Sequence, residues 1–136
     1  GIIRLDYEYP VNVGDVDDPN CFKYPVHYRI VKGLSFEMCE SGHFSDEDVK
    51  KRFRAAVSYL VDVKRVAVVG SDCGFYLFFQ KMVREFTKDC QPVCMSSLCC
   101  VPSLVTAYDA SEKMIIFTAN KAMMKKRQEV EDEKTK

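Results

Sequence analysis

Strands and helices alternate along this chain, and the alternation predicts an α/β domain on a mainly parallel sheet of about four strands flanked by helices. Three observations carry the prediction. Val66-Ala67-Val68-Val69 is apolar without polar alternation, as suits a central strand covered on both faces. Apolar residues recur at helical spacing on either side of it, in Val49, Phe53, Ala56, Val57 and Leu60 and again in Phe75, Phe79, Met82, Val83 and Phe86. The length, 136 residues and 15.6 kDa, suits one domain with one core.

Taken in order, Ile2-Ile3-Arg4-Leu5 reads as a short β-branched strand ending at Asp6. Tyr7 to Asn20 has no period and is rich in Asp, Pro, Gly and Asn, so a long loop is expected, of the kind used as a lid or binding arm. Val26, Tyr28 and Ile30 alternate with His27 and Arg29, which predicts a strand at the sheet edge. Ser45 is the expected N-cap of the next helix, with Asp48 three residues on. After Val66–Val69 and the turn Gly70-Ser71-Asp72-Cys73-Gly74 comes an unusually apolar helix running to about Thr87. Pro92 to Met95 reads as a third central strand, stopped by Ser96-Ser97. A helix from about Val101 to Asp109 and a fourth such strand at Met114-Ile115-Ile116-Phe117 follow. The expected fold is a single flavodoxin-like lobe over residues 1–124, with residues 125–136 as a charged C-terminal helix or tail.

Composition excludes several classes. Lys plus Arg and Asp plus Glu both number 20, for a formal net charge of zero. Such a chain has no long-range field to gather nucleic acid or anionic lipid, so neither partner is expected. No apolar stretch approaches the ~18 residues of a membrane span. With 47% hydrophobic residues the body is folded rather than disordered. The seven cysteines are an odd number, and adjacent Cys99 and Cys100 could pair only with strain. That points to free thiols, a reducing compartment and a cytoplasmic protein.

Parallel sheets bind ligands outside the carboxyl ends of their strands, where the order of connection reverses. Asp6, Ser71-Asp72-Cys73, Ser96-Ser97 and Thr118 to Asn120 each follow an expected strand, so they should line one rim. Cys73 is the sharpest feature. At the first turn of a helix, free N–H groups and the helix dipole favour an anion, so a thiolate base or nucleophile with a lowered pKa is expected there. Gly74 would let the backbone approach a ligand closely. A merely packed thiol is the bland alternative.

Other chemistries fit less well. An arginine-assisted phosphatase loop wants Arg six residues after its cysteine, where this chain has Phe79. A Gly-rich phosphate loop and a Gly-x-Ser-x-Gly elbow are both missing. His27 and His43 have no spacing that supports a Cys-His dyad. Cys90, Cys94, Cys99 and Cys100 lack the paired spacing of a zinc ribbon, and Cys94 is expected inside a core strand, so no metal is expected. Met123-Met124 reads as core or interface. Without Cys-x-x-Cys, a thiol-redox protein is a distant third class.

Four separated motifs, in order, resemble the aspartate/glutamate/hydantoin racemase superfamily. They are Gly1-Ile2-Ile3-Arg4-Leu5-Asp6 with Pro10-x-x-x-Gly14-Asp15, Ser71-Asp72-Cys73-Gly74-Phe75, Ser96-Ser97-Leu98, and Phe117-Thr118-Ala119-Asn120. The resemblance covers about residues 1 to 124 and matches only the first of the family's two α/β lobes. It implies cofactor-independent proton transfer at the α-carbon of an acidic amino acid such as aspartate or glutamate, with Cys73 as the first-lobe base. Asp72, Gly74 and Phe75 would then lie near the substrate carboxylate, and Asp6, Ser96, Ser97, Thr118 and Asn120 would complete the half-site. Two departures stand out. The turn reads Cys-Gly-Phe where glutamate racemases have Cys-Asn-Thr, and no second Gly-Cys-Thr-like motif follows Asn120.

The expectation is therefore a racemase-type lobe acting as a homodimer, since the face that would meet a second lobe should be apolar and seek a partner. The alternative is a catalytically inactive binding or interaction module of the same fold.

Overall fold

The β-branched pair at the head of the chain sits in the middle of the sheet. In the computed structural model, which describes residues 1–88, 91–109 and 111–122, strand β1 (Ile2–Arg4) lies between β2 (Tyr28–Ile30) and β3 (Val69–Ser71). Strand β4 (Val93–Cys94) pairs on the far side of β3, so the order is β2-β1-β3-β4. Every pairing is parallel, with Ile3 opposite Arg29 on one side and Ser71 on the other. The α/β class and the four-stranded parallel sheet expected from the sequence are both present, and Tyr28–Ile30 takes an edge of that order. This is the flavodoxin-like order, in which the chain winds outward from β1 to β2 and then crosses back to β3. The reversal falls between β1 and β3.

Helices cover the sheet. Helix α1 (Phe36–Ser41) is capped by Ser35, whose Oγ accepts the Met38 N–H at 3.4 Å, and it ends on Gly42 in the left-handed conformation, φ 63°. Six residues are too few to show a period, so only the Ser35 and Gly42 caps could have revealed it. Helix α2 (Glu47–Ser58) buries Val49, Phe53, Ala56 and Val57. Its cap is Asp46 rather than the expected Ser45, the Asp46 carboxylate accepting the Asp48 N–H at 2.7 Å. The apolar segment after Cys73 opens as a tight 3₁₀ turn, Gly74–Phe79, and relaxes into helix α3 (Gln80–Phe86). Its rings are core: Phe53 lies 5.4 Å from Phe44, 6.1 Å from Tyr76 and 5.6 Å from Phe79, centroid to centroid.

Three strand expectations need correction. The strand expected at Val66–Val69 begins only at Val69 and runs through Gly70 and Ser71, because those residues hold the register with β1. Gly70 permits the close approach of β4: a Cβ there would come within 3.3 Å of the Cys94 carbonyl oxygen. Pro92–Met95, expected as a central strand, is a two-residue strand at one end of the order. Beyond it the Gln80 amide stands in for a strand, its Nε2 donating to the Val93 carbonyl at 2.7 Å and its Oε1 accepting the Met95 N–H at 2.8 Å. Cys94 is consequently exposed, not buried in a core strand.

The sheet and its helices form a unit of residues Gly1–Cys100, and a second unit starts at Val101. Helix α4 (Val101–Val105) belongs to the second and is shorter than the expected Val101–Asp109. Met114–Phe117 forms no strand; Ile115 is 76% exposed and Phe117 94%. Apolar composition alone does not make a strand without a neighbour to pair with. Cys90, Met123-Met124 and the expected tail, residues 125–136, lie outside the described residues.

Candidate functional site

The winding reversal brings the ends of β1 and β3 side by side. Asp72 donates its N–H to the Ile3 carbonyl at 3.2 Å, continuing the pairing one residue past β3. Its carboxylate reaches back across the gap, and Oδ2 accepts the Leu5 N–H at 3.1 Å. The same oxygen lies 3.9 Å from Arg4 Nε, while Oδ1 is buried without a hydrogen-bond partner. Arg4 also pairs with buried Asp17, Nε to Oδ1 3.1 Å, and Asp17 accepts the Tyr9 hydroxyl. One guanidinium therefore serves two buried carboxylates. Burial raises the Asp72 carboxyl to about 6, against the opposing pull of the Leu5 N–H and Arg4, and burial likewise raises Asp17. Two carboxylates sharing one cation out of water cannot both be well compensated.

Cys73 follows at once. It is the N-cap of the 3₁₀ turn in extended conformation, and its carbonyl accepts the Tyr76 N–H at 3.0 Å and the Ser71 hydroxyl at 3.3 Å. The nearby backbone N–H groups of Phe75 and Tyr76 pull the thiol down, as the sequence suggested, although the Cys73 side chain caps neither and the Tyr76 N–H is bonded to the Cys73 carbonyl. They do not win. Burial, then the nearby Asp72 charge, outweigh them, and the Cys73 thiol is raised rather than lowered. The expected low pKa is corrected accordingly: a six-residue 3₁₀ turn gives the sulfur no capping bond and lacks the field of a long helix. Cys73 remains half-buried. Behind it lie fully buried Cys39 and Tyr76, both raised by burial.

The residues expected to share the rim divide into three groups. Asp72, Cys73, Gly74 and Ser96 do converge: a Cβ on Gly74 would sit 3.9 Å from Ser96 Oγ, and the Ser71 hydroxyl donates to the Met95 carbonyl. Ser96 is buried, and its Oγ accepts the Leu98 N–H at 3.1 Å. Phe75 contributes its N–H, while its ring is buried edge-on to Phe36 at 5.5 Å. Asp6 and Ser97 form the second group. The Asp6 carboxylate is taken by Lys32 Nζ at 2.8 Å and the Gly33 N–H at 2.9 Å, bonds that hold it below the usual carboxylate range and pin the turn after β2. Ser97 is exposed at the start of a 3₁₀ turn. Thr118 and Asn120, the third group, lie in the second unit, where Thr118 Oγ1 accepts the Asn120 N–H at 3.4 Å and Asn120 Oδ1 the Ala122 N–H at 3.1 Å. That is a local turn.

Sequence reasoning missed Arg4, Tyr9 and Asp17. Their only signal was an arginine inside a β-branched strand followed by a loop dense in aspartate. The loop of residues 7–24 is tied down through Tyr9 and Asp17 and through the Tyr28 hydroxyl, which donates to the Val16 carbonyl at 3.0 Å.

No family model matches the chain, and no solved structure does. Curated relatives do. The chain is similar to dimethylsulfoniopropionate lyase 3 of Emiliania huxleyi (strain CCMP1516), 49% identical over 130 residues that make up 96% of this chain and 33% of the relative. Dimethylsulfoniopropionate lyase 7 of the same strain is 49% identical over 92% of this chain and 36% of its own length. A dimethylsulfoniopropionate lyase of Durusdinium sp. clade D is 46% identical over 88% and 39%. The chain spans about a third of the length of these relatives. Their names overturn the resemblance to the racemase superfamily, and with it the racemase and isomerase activity and the acidic amino-acid substrate expected above. Nor do they support an inert binding module.

Proposed function

We propose that this chain carries the cysteine-bearing part of a lyase that cleaves dimethylsulfoniopropionate, with Cys73 as the base. The observation behind the reading is the 49% identity to lyases of that name across 96% of the chain, a span that leaves out only a few residues and takes in the whole Cys73 turn. The substrate is a propionate with a dimethylsulfonium group on C3. The Cys73 thiolate takes a proton from C2, the C–H electron pair becomes the C2–C3 π bond, and the C3–S pair departs with the sulfur. The products are acrylate and dimethyl sulfide, and the proton on Cys73 returns to solvent.

One base suffices for this step. The leaving group departs as a neutral thioether, so no acid is needed opposite Cys73, and no cofactor is required. The Phe75 N–H beside Cys73 offers a donor for a carboxylate whose charge grows as the C2 proton leaves, and Gly74 leaves room for it to approach. Ser96 is positioned beside them. The raised Cys73 thiol fits a base that becomes competent when a sulfonium cation enters, because a positive charge nearby favours the thiolate. Pairing of two copies belongs to the same reading and is tested by light scattering of the purified protein.

The test is head-space measurement of dimethyl sulfide from dimethylsulfoniopropionate, using the protein as the organism makes it. Release by the wild type and at least a hundredfold less by Cys73→Ala is the expected result. Release of equal size by both, or none from the wild type, overturns the reading.

A further inference from the structure

Three further thiols gather at the end of β4. Cys94 closes the strand and is exposed, with its Sγ 3.4 Å from the Ser96 carbonyl. The chain then turns through a 3₁₀ segment, Ser97–Cys100, which starts where the Cys99 N–H donates to the Ser96 carbonyl at 3.0 Å. This tight return carries Cys100 back, also exposed, until its thiol is within hydrogen-bond reach of Cys94. Cys99 points elsewhere: its Sγ donates to Gln80 Oε1 at 3.3 Å. Adjacent Cys99 and Cys100 are thus separated by the geometry, one engaged with the strand-capping amide and the other free to meet Cys94. Among the described residues no group of three potential ligands converges here to hold a metal.

We propose that Cys94 and Cys100 are a reversible oxidation site that forms an intramolecular disulfide with a peroxide. One thiolate attacks a peroxide oxygen and becomes a sulfenic acid with release of water. The second sulfur then displaces the hydroxyl as water, so two thiols and one hydrogen peroxide give one disulfide and two waters. Both residues are exposed, and Cys94 Sγ meets the Cys99 N–H at one carbonyl, that of Ser96, so the turn sets Cys94 and Cys100 side by side within reach of a side-chain rotation and a small closing of the loop. The Cys100 thiol is raised by its neighbour Cys94. The bond would lock the segment 94–100, which includes Ser96 beside Gly74, and so couples oxidation to the wall of the Cys73 turn.

The experiment needs no catalytic activity. The native protein is treated with one equivalent of hydrogen peroxide, remaining thiols are blocked with N-ethylmaleimide, and chymotrypsin is used to cut after Leu98. The expected product is a disulfide joining the fragment with Cys94 to the fragment with Cys100, in the wild type and in Cys99→Ser. It is absent in Cys94→Ser and Cys100→Ser and after dithiothreitol. A link through Cys90 or Cys99 instead, or stable sulfenic acid without any link, would overturn the proposal.

Discussion

The Asp72 carboxylate accepts the main-chain N–H of Leu5 at 3.1 Å, and that bond ties the end of β3 to the end of β1 where the winding of the sheet reverses. The residue after it is Cys73. A buried anion is a costly way to join two strands, and the cost is visible in the carboxyl's rise to about 6. It places the Cys73 sulfur by a main-chain connection one residue long.

The first prediction concerns this carboxylate and pH. Its ordinary value is 3.8 and its folded value about 6, so between those limits the folded protein binds a proton that the unfolded chain does not. Stability therefore falls as pH rises from about 4 to about 6, by about 2–3 kcal/mol for this group, and the loss is complete above that window. In Asp72→Asn this component vanishes. Urea unfolding of both proteins at pH 4.5 and pH 7 checks it: the wild type should lose more stability than the variant between the two.

Cys73 titrates on the other side of neutrality. Burial and the Asp72 charge raise its thiol above the ordinary cysteine value, so the thiolate fraction grows as pH rises through the alkaline range. Alkylation of Cys73 by iodoacetamide, followed by peptide mass spectrometry, should be slow at pH 7 and still accelerating at pH 9. A plateau reached near neutral pH is the opposite outcome.

Gln80 replaces a missing strand neighbour, and its loss should be felt at β4. Gln80→Ala leaves the Met95 N–H and the Val93 carbonyl without their partner, at an expected cost of about 1–3 kcal/mol. Hydrogen exchange should show Met95 losing protection while Ile3 in β1 keeps it.

The sheet was legible because its signals are local. The β-branched run at Ile2-Ile3, the alternation at Tyr28–Ile30 and the helical period from Val49 to Leu60 each need only neighbours in sequence. Cys73 stood out for the same reason, at the junction of an apolar run and a turn. What distance brings together was hidden. Asp6 looked like a rim residue, yet Lys32 and Gly33 claim it; Arg4 and Asp17 looked like ordinary strand and loop residues, yet they form the ionic cluster beside Asp72. Met114–Phe117 has strand composition, but a strand also needs an edge to pair with. The proposed substrate was least legible of all, because a cysteine proposed as a base specifies removal of a proton and says nothing of whether the carbanion electrons return to a proton or expel a leaving group.

The central claim is that Cys73 removes the C2 proton while the C3–S bond breaks. The direct measurement is dimethyl sulfide release from unlabelled and 2,2-dideuterated dimethylsulfoniopropionate, by wild type and Cys73→Ser. Slower release from the deuterated substrate by the wild type, and loss of release in the variant, is the predicted result. Release at the wild-type rate in Cys73→Ser would contradict it.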